Sequence, residues 1–280
     1  TYAEKTGPGW NVLVPSMVGD GFSLKGNGMG LLMLDFGLVG SGEIEFTSAV
    51  TWHPAATPTV RKTLSGIART NGAPKKKAKA LAVEDLRRIV AHLACLDSVS
   101  AKRDNALLQV GYFGGFRRSE IVGLQVEHLT WEPEGIVITL PRSKTDQQGE
   151  GVVKAIPYGN GPCCPATALR TWLTAAGIAS GPLFRSVSKW NGVGADALHA
   201  GSVNTILANC ARMIQLDYEP QLSSHSLRRG MANSAYRAGA DFRDIKRQGG
   251  WRHDGTVQGY IEEAGQFQEN AAGSLLRTKS

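Results

Sequence analysis

Between His225 and Glu263 the chain reads HSLRRGMANSAYRAGADFRDIKRQGGWRHDGTVQGYIEE, which gathers His225, Arg228, Arg229, Trp251 and Tyr260 into one short span. A helix that only packs needs an apolar stripe and a solvated back. These residue types suit a phosphate instead. Arginine grips paired anionic oxygens through charge-assisted hydrogen bonds. A phenol attacks phosphorus once its proton is gone, and an imidazole can take that proton near neutral pH. His225 and Arg228 are three apart, so a helix would project both from one face. Taken singly, each residue has a plainer reading: a satisfied core histidine, a tryptophan anchoring a turn after two glycines, a half-buried tyrosine.

Further candidates lie upstream. Arg117 in GGFRRSE follows Gly114 and Gly115, where a helix continues poorly, so it belongs to a loop or a helix start. Glu120, three residues on, can orient it across one helical turn. Lys144 lies in the polar stretch RSKTDQQGEG. A lysine in such a turn is ordinarily solvated, and it gains a role only if the turn folds over a ligand.

The elements that must hold these groups follow from periodicity. TPTVRKTLSGIART (57–70) puts Val60, Leu64 and Ile67 on one helical face. LAVEDLRRIVAHLACL repeats the pattern with Leu86, Ile89, Val90 and Leu93, and SAKRDNALLQVGYF predicts a helix capped by Ser100. The β-branched runs GIVITLP and GVVKAIP flank the Lys144 turn and predict a hairpin. Helices return at PATALRTWLTAAG, with Pro165 in the first turn, and at SVNTILANCARMI, with Ser202 as cap. A last amphipathic stretch, AGQFQENAAGSLL, lines up Phe267, Ala271 and Leu275. The expected fold is mainly α with a small antiparallel β-sheet.

Composition bounds the rest. With 280 residues, 42% of them hydrophobic, the chain can bury a sizeable core. A formal charge of +7 points to an anionic partner, nucleic acid being the commonest. PKKKAK concentrates Lys75, Lys76, Lys77 and Lys79 in an exposed linker that can lie along a phosphate backbone. Its plainer reading is a solvated linker. Residues 1–45 form a glycine-rich region, with ten glycines in the first 42 positions and no sustained periodicity, and no fold is assigned to them. GNGMG there lacks the strand before it and the Lys-Ser or Lys-Thr after it that a phosphate loop needs. GMGLLMLDFGLVG is too short and glycine-rich for a membrane span and lacks the flanks of a signal peptide, so a cytoplasmic protein is expected. Cys95, Cys163, Cys164 and Cys210 have neither zinc-ligand spacing nor disulfide density and read as free thiols.

In their order along the chain, these groups resemble the tyrosine recombinase, or phage integrase, family. GGFRRSEIVGL is similar to that family's G-x-R-x-[SA]-E, which sets Arg117 and Glu120 in its roles. SKT resembles the hairpin-lysine motif at Lys144, and HSLRRG resembles H-x-x-R at His225 and Arg228. GGW stands where most members have Leu-Gly-His, so Trp251 replaces the usual histidine, as in the Cre recombinase, and Tyr260 falls at the nucleophile position. The resemblance covers residues 79–280, the expected catalytic domain. It implies that residues 46–78 are the end of a DNA-clamping core-binding domain plus the basic linker.

The resemblance implies site-specific DNA recombination through a 3′-phosphotyrosyl intermediate, with no cofactor, metal or ATP. Arg117 and Arg228 would hold the non-bridging oxygens, Tyr260 would attack, His225 would accept or relay its proton, and Lys144 would protonate the leaving 5′-oxygen. Trp251 would donate an indole N–H to the phosphate. Arg118, Arg229 and the linker lysines would touch DNA. The partners implied are double-stranded DNA with specific recombination sites, in the cytoplasm at the nucleoid, and further copies of the chain. Those copies would form a dimer on each site and a tetramer in the synapse, joined through the C-terminal helix. Two other readings use the same groups: a type IB topoisomerase acting as a monomer, and a non-catalytic DNA-binding relative. The apolar stripe beyond Tyr260 favours recombination over the first, and the complete reactive set argues against the second.

Overall fold

The computed structural model describes residues 16–18, 21–23, 31–39, 43–52, 58–71, 77–140, 151–267, 272 and 276. The chain divides into two units, Thr1–Lys76 and Lys77–Ser280. In the first unit β1 (Ser16–Val18) pairs antiparallel with β2 (Gly21–Ser23). There too β3 (Leu31–Val39) pairs antiparallel with β4 (Glu43–Trp52). β3 opens on the unbroken apolar run Leu31–Leu34 and carries Gly37, so its side-chain alternation is not evident from sequence pattern. α1 (Pro58–Asn71) follows the stripe of Val60, Leu64 and Ile67 and begins on a proline, whose fixed φ suits a first turn.

In the second unit α2 (Val83–Ala94) buries Leu86, Ile89, Val90 and Leu93, the face read from its period. α3 (Val99–Phe113) is buried nearly all round from Ala106 to Tyr112 and packs against α2. Its cap is Ser98, not Ser100: the Ser98 Oγ accepts from the Ala101 N–H at 3.1 Å, and Ser98 has the extended backbone a cap requires. The short α4 (Arg118–Val122) follows at once. β5 (Leu129–Glu132), β6 (Gly135–Leu140) and β7 (Val152–Pro157) form an antiparallel sheet in that order. The expected hairpin is β6–β7, in register with Ile136 opposite Ile156 and Ile138 opposite Lys154. β5 has a largely exposed face, which explains why alternation did not reveal it.

α5 (Pro165–Ala176) packs on α3, opens on Pro165 and closes at Gly177 in the left-handed region. A second hairpin joins β8 (Arg185–Val187) to β9 (Val193–Ala197). α6 (Ala200–Met213) is capped by His199, whose Nδ1 accepts from the Gly201 N–H at 3.1 Å, so Ser202 lies inside the helix. α7 (Ser224–Arg237), α8 (Phe242–Gly249) and α9 (Asp254–Gly265) complete a fold that is mostly helical with a small antiparallel sheet. Among the described residues no helix is long and apolar enough to cross a membrane. All four cysteines are free.

Trp172 on α5 is fully buried, and its indole N–H donates to the Leu183 carbonyl at 2.9 Å, tying α5 to the segment before β8. Trp172→Phe keeps the aromatic packing but orphans that carbonyl. Unfolding in urea should show a loss of about 1–3 kcal/mol; an unchanged midpoint would assign the indole N–H no structural part.

Candidate active site

Two helices end in the same way. α3 stops at Gly114 with Gly115 at φ +55°, and α8 stops at Gly249 with Gly250 at φ +64°. In each the next residue reaches back, Phe116 N to Gly111 O and Trp251 N to Lys246 O, which is the hydrogen-bond pattern of a Schellman close. The two ends meet. A Cβ on Gly115 would stand 3.2 Å from the Gly249 Cα and 2.6 Å from the Met231 Cε, so the positive φ and the crowding both demand glycine there.

Helix ends leave carbonyls without partners, and here side chains meet them. Gln248 Nε2 donates to Phe113 O at 2.8 Å and to Ala155 O on β7 at 3.1 Å. Lys154 Nζ donates to Gly114 O at 2.7 Å and Gln248 O at 2.6 Å, with the Phe116 ring 4.8 Å away. Arg228 Nη1 donates to Gly115 O and to Gly249 O. Its other terminal nitrogen, Nη2, is buried and has no hydrogen-bond partner among the described residues. A buried guanidinium N–H without an acceptor is costly unless an anion completes it.

The turn after α3 presents Arg117 as the residue before α4. Glu120 accepts twice from it, from the backbone N–H at 2.8 Å and from Nη1 at 2.5 Å, so one carboxylate both caps α4 and aims the guanidinium. Burial, then the charge of Arg117, pushes the Arg228 pKa down to about 10, which leaves it a cation at neutral pH. His225 lies in the first turn of α7, on the same helix as Arg228. Partial burial and the charges of Arg118, Arg228, Arg117 and Arg229 hold its imidazole below the usual histidine range, hence neutral and able to accept a proton.

The turn after α8 presents Trp251, buried beneath the Arg228 guanidinium at 4.1 Å and meeting the Tyr260 ring edge-on at 5.8 Å. Tyr260 lies on α9, which α7 holds in two places. Arg229 forms an ion pair with Glu263 and lies 5.2 Å over the Tyr260 ring. With its amide nitrogen facing them, Asn233 donates to Arg229 O at 3.2 Å and Tyr260 O at 3.0 Å. Two arginines, one with an open buried N–H, a neutral imidazole and a phenol thus share one site fed by four elements.

The phage integrase family model matches residues 79–266. The chain belongs to the phage integrase family. An integrase/recombinase XerD homolog of Selenomonas ruminantium is 36% identical over 220 residues, which is 78% of this chain and 64% of that protein. By fold, the chain is similar to the XerH site-specific recombinase in a post-cleavage complex with palindromic difH substrate. The TM-score is 0.55 at 16% identity, over 74% of this chain and 56% of XerH. It is also similar to the XerA recombinase, with a TM-score of 0.52 at 17% identity, over 74% of this chain and 66% of XerA. The chain thus spans less than two thirds of the length of each.

In this phage integrase family member the structure brings Arg117, Glu120, His225, Arg228, Trp251 and Tyr260 onto the α3–α4 turn, α7, the α8–α9 turn and α9. Lys77, Lys79 and Arg118 are exposed. Arg229, expected to touch DNA, is turned inward onto Glu263 because its face of α7 packs on α9. Lys75, Lys76, Lys144, Ala271 and Leu275 lie outside the described residues, and Phe267 is exposed. Sequence reading missed Lys154, Gln248, Asn233 and Glu263. Lys154 had a signal, since period two sets it on the inward face of its strand with Ile156.

Burial, with help from Arg228 and Arg117 and against Glu120, pushes the Lys154 amine down to about 7. A folded pKa below the unfolded value means the unfolded chain binds the extra proton. This group therefore costs stability below about pH 7 and returns it as pH rises toward the unfolded value of about 10.4. The melting temperature of the wild type, measured relative to Lys154→Met, should rise between about pH 6.5 and about pH 8.5. A pH-independent difference between the two proteins would rule this out.

Proposed function

We propose that this protein is a site-specific DNA recombinase that cleaves and rejoins strands through a 3′-phosphotyrosyl intermediate without metal or ATP. The observation that carries this reading is the open, buried Arg228 Nη2 beside Arg117, with Trp251 against the same guanidinium and the Tyr260 ring edge-on to Trp251. A phosphodiester resists attack because its oxygens are anionic and its alkoxide leaves poorly. Arg228 and Arg117 would bind the non-bridging oxygens and stabilise the charge that builds in the five-coordinate transition state. The Tyr260 oxygen would bond to phosphorus as the bond to the 5′-oxygen breaks. Its proton would pass to His225, held neutral by its surroundings, and Lys144 would give a proton to the leaving 5′-oxygen. Rejoining is the reverse, with the 5′-hydroxyl attacking the phosphotyrosine. Trp251 can donate an N–H to the phosphate and pack on the nucleophile, but it cannot transfer a proton as histidine would. Lys75, Lys76, Lys77, Lys79 and Arg118 supply the backbone contacts, and residues 46–78 serve as the end of the DNA-clamping domain. Copies of the chain would assemble on DNA through the stretch that begins at the exposed Phe267.

The test needs a substrate, supplied by nicked duplexes of randomised sequence from which wild-type protein captures its site covalently. Tyr260→Phe should bind the captured duplex yet form no covalent band on a denaturing gel, while EDTA should leave the wild-type band unchanged. A normal band from the mutant would overturn the assignment of the nucleophile.

Lys144 has its own discriminating substrate. Lys144→Ala should slow cleavage by about 10²–10⁴, the contribution of a general acid. Sulfur in place of the 5′-bridging oxygen leaves as a thiolate, the conjugate base of a thiol of pKa about 8.5, and needs no proton. The mutant should cleave that DNA near the wild-type rate, whereas Arg117→Ala and Arg228→Ala should not be rescued. Equal slowness of Lys144→Ala on both substrates would move the acid role elsewhere.

A further inference from the structure

Lys154 has no part in the chemistry proposed above, yet its placement is unusual. It is a buried lysine on a β-strand, opposite Ile138, and among the described residues no carboxylate forms an ion pair with it. A lysine in such a place ordinarily costs more than any aliphatic residue. Its acceptors are backbone carbonyls from two different helix ends, Gly114 on α3 and Gln248 on α8. Arg228 takes the neighbouring carbonyls, Gly115 and Gly249. The same two turns are thus bridged twice, by adjacent cations, at consecutive residues. One turn runs directly into Arg117 and the other into Trp251.

Both helices direct the negative ends of their dipoles at this point, which favours two cations where neither alone has a counter-ion. The division of labour between the cations is uneven. Arg228 spends Nη1 on the carbonyls and keeps Nη2 open. Were Lys154 absent, Gly114 O and Gln248 O would be orphaned beside Arg228, the neighbouring cation that already donates to both turns. Arg228 would then be drawn toward them and away from a ligand, or the turns would part.

We propose that Lys154 is a positioning residue for strand transfer: by holding Gly114 O and Gln248 O together it fixes the separation of the Arg117 and Trp251 turns and leaves Arg228 Nη2 free for the phosphate. This rests on the strand-transfer reading above, although the clasp itself is a property of the free protein. Lys154 touches neither nucleophile nor leaving group in this scheme.

Two measurements on the full chain test it. The first is hydrogen exchange without DNA. Lys154→Met fills the same space without a donor, so residues 114–120 and 248–253 should exchange about 10-fold faster than in wild type while α5 is unchanged. The second uses the nicked duplex captured by wild-type protein. Single-turnover covalent attachment at saturating protein should slow by about 10²-fold in Lys154→Met, the usual consequence of misplacing reacting groups by about 1 Å, with the dissociation constant for DNA changed by less than about 3-fold. In Lys154→Ala, ethylammonium should restore the rate saturably and propanol should not, because a mere filler of volume would respond to both. Normal exchange in both turns, or a Lys154→Met rate equal to wild type, overturns the proposal. If wild type captures no duplex at all, the strand-transfer reading fails. Faster exchange in Lys154→Met would then leave the clasp standing and its catalytic purpose refuted.

Discussion

The site is built on an electrostatic constraint: two helices, α3 and α8, end against each other with their carbonyls converging, and donors from side chains, two of them basic, must hold them there. Each helix end carries partial negative charge and acceptors that its own turn cannot satisfy. Two such ends would repel if left alone. Gln248, Lys154 and Arg228 take the carbonyls of Phe113, Gly114 and Gly115 in succession, and the last two also take Gln248 and Gly249 across the gap. The sequence prepares both ends alike, since GGF and GGW each supply a glycine for the left-handed close and an aromatic ring to cover it.

This arrangement leaves the site short of negative charge. Lys154, Arg228 and Arg117 cluster around one carboxylate, Glu120, and burial, with mutual repulsion second to it, depresses the pKa of Lys154 and of Arg228. Glu120 is already committed to Arg117 and to capping α4. On the strand-transfer proposal, an arriving dianionic transition state would meet preorganised donors that need no reorientation, which is where electrostatic catalysis draws its largest contribution. The same excess of cations costs stability in the free protein, in keeping with strain concentrated at functional sites.

How much of this was legible in the sequence depended on distance along the chain. Arg117 with Glu120, and His225 with Arg228, are three residues apart, so helical geometry alone predicted their common faces. Helical stripes and the β6–β7 hairpin were legible because period and turn residues are local signals. Lys154 was not, because its acceptors lie 40 and 94 residues away, and only the inward phase of its strand hinted at it. Arg229 misled for the opposite reason. Next to a motif arginine it looked like a second DNA contact, but a step of one residue on a helix turns the side chain about 100°, onto Glu263. The α3 cap lies at Ser98 rather than Ser100, and the α6 cap at His199 rather than Ser202, because backbone conformation decides between nearby candidates and sequence does not. Residues 1–45 were unreadable because scattered glycines and the apolar run Leu31–Leu34 hide the period of two even where strands pair.

Tyr260 is mounted differently from the clasp. Arg228 and Lys154 are buried and held by backbone carbonyls, so displacing them orphans groups that water cannot reach. Tyr260 is only partly buried, and α9 is tied to α7 by the Asn233 amide and by an ion pair whose Glu263 side chain is 42% exposed. An ion pair exposed on one side is screened and contributes little net stability. The polar ties of α9 are thus weaker than those of the clasp, and buried Val257 and Ala264 supply the rest of its hold. On the strand-transfer proposal, such mounting would let the phenol shift while the arginine cluster keeps its shape, as a covalent bond that forms once and is broken once on the same phosphorus would require. The asymmetry follows from the sequence itself: the clamp is made where glycines let backbones touch, and the phenol is carried on a helix whose neighbouring positions, Gly259 and Gly255, leave open space.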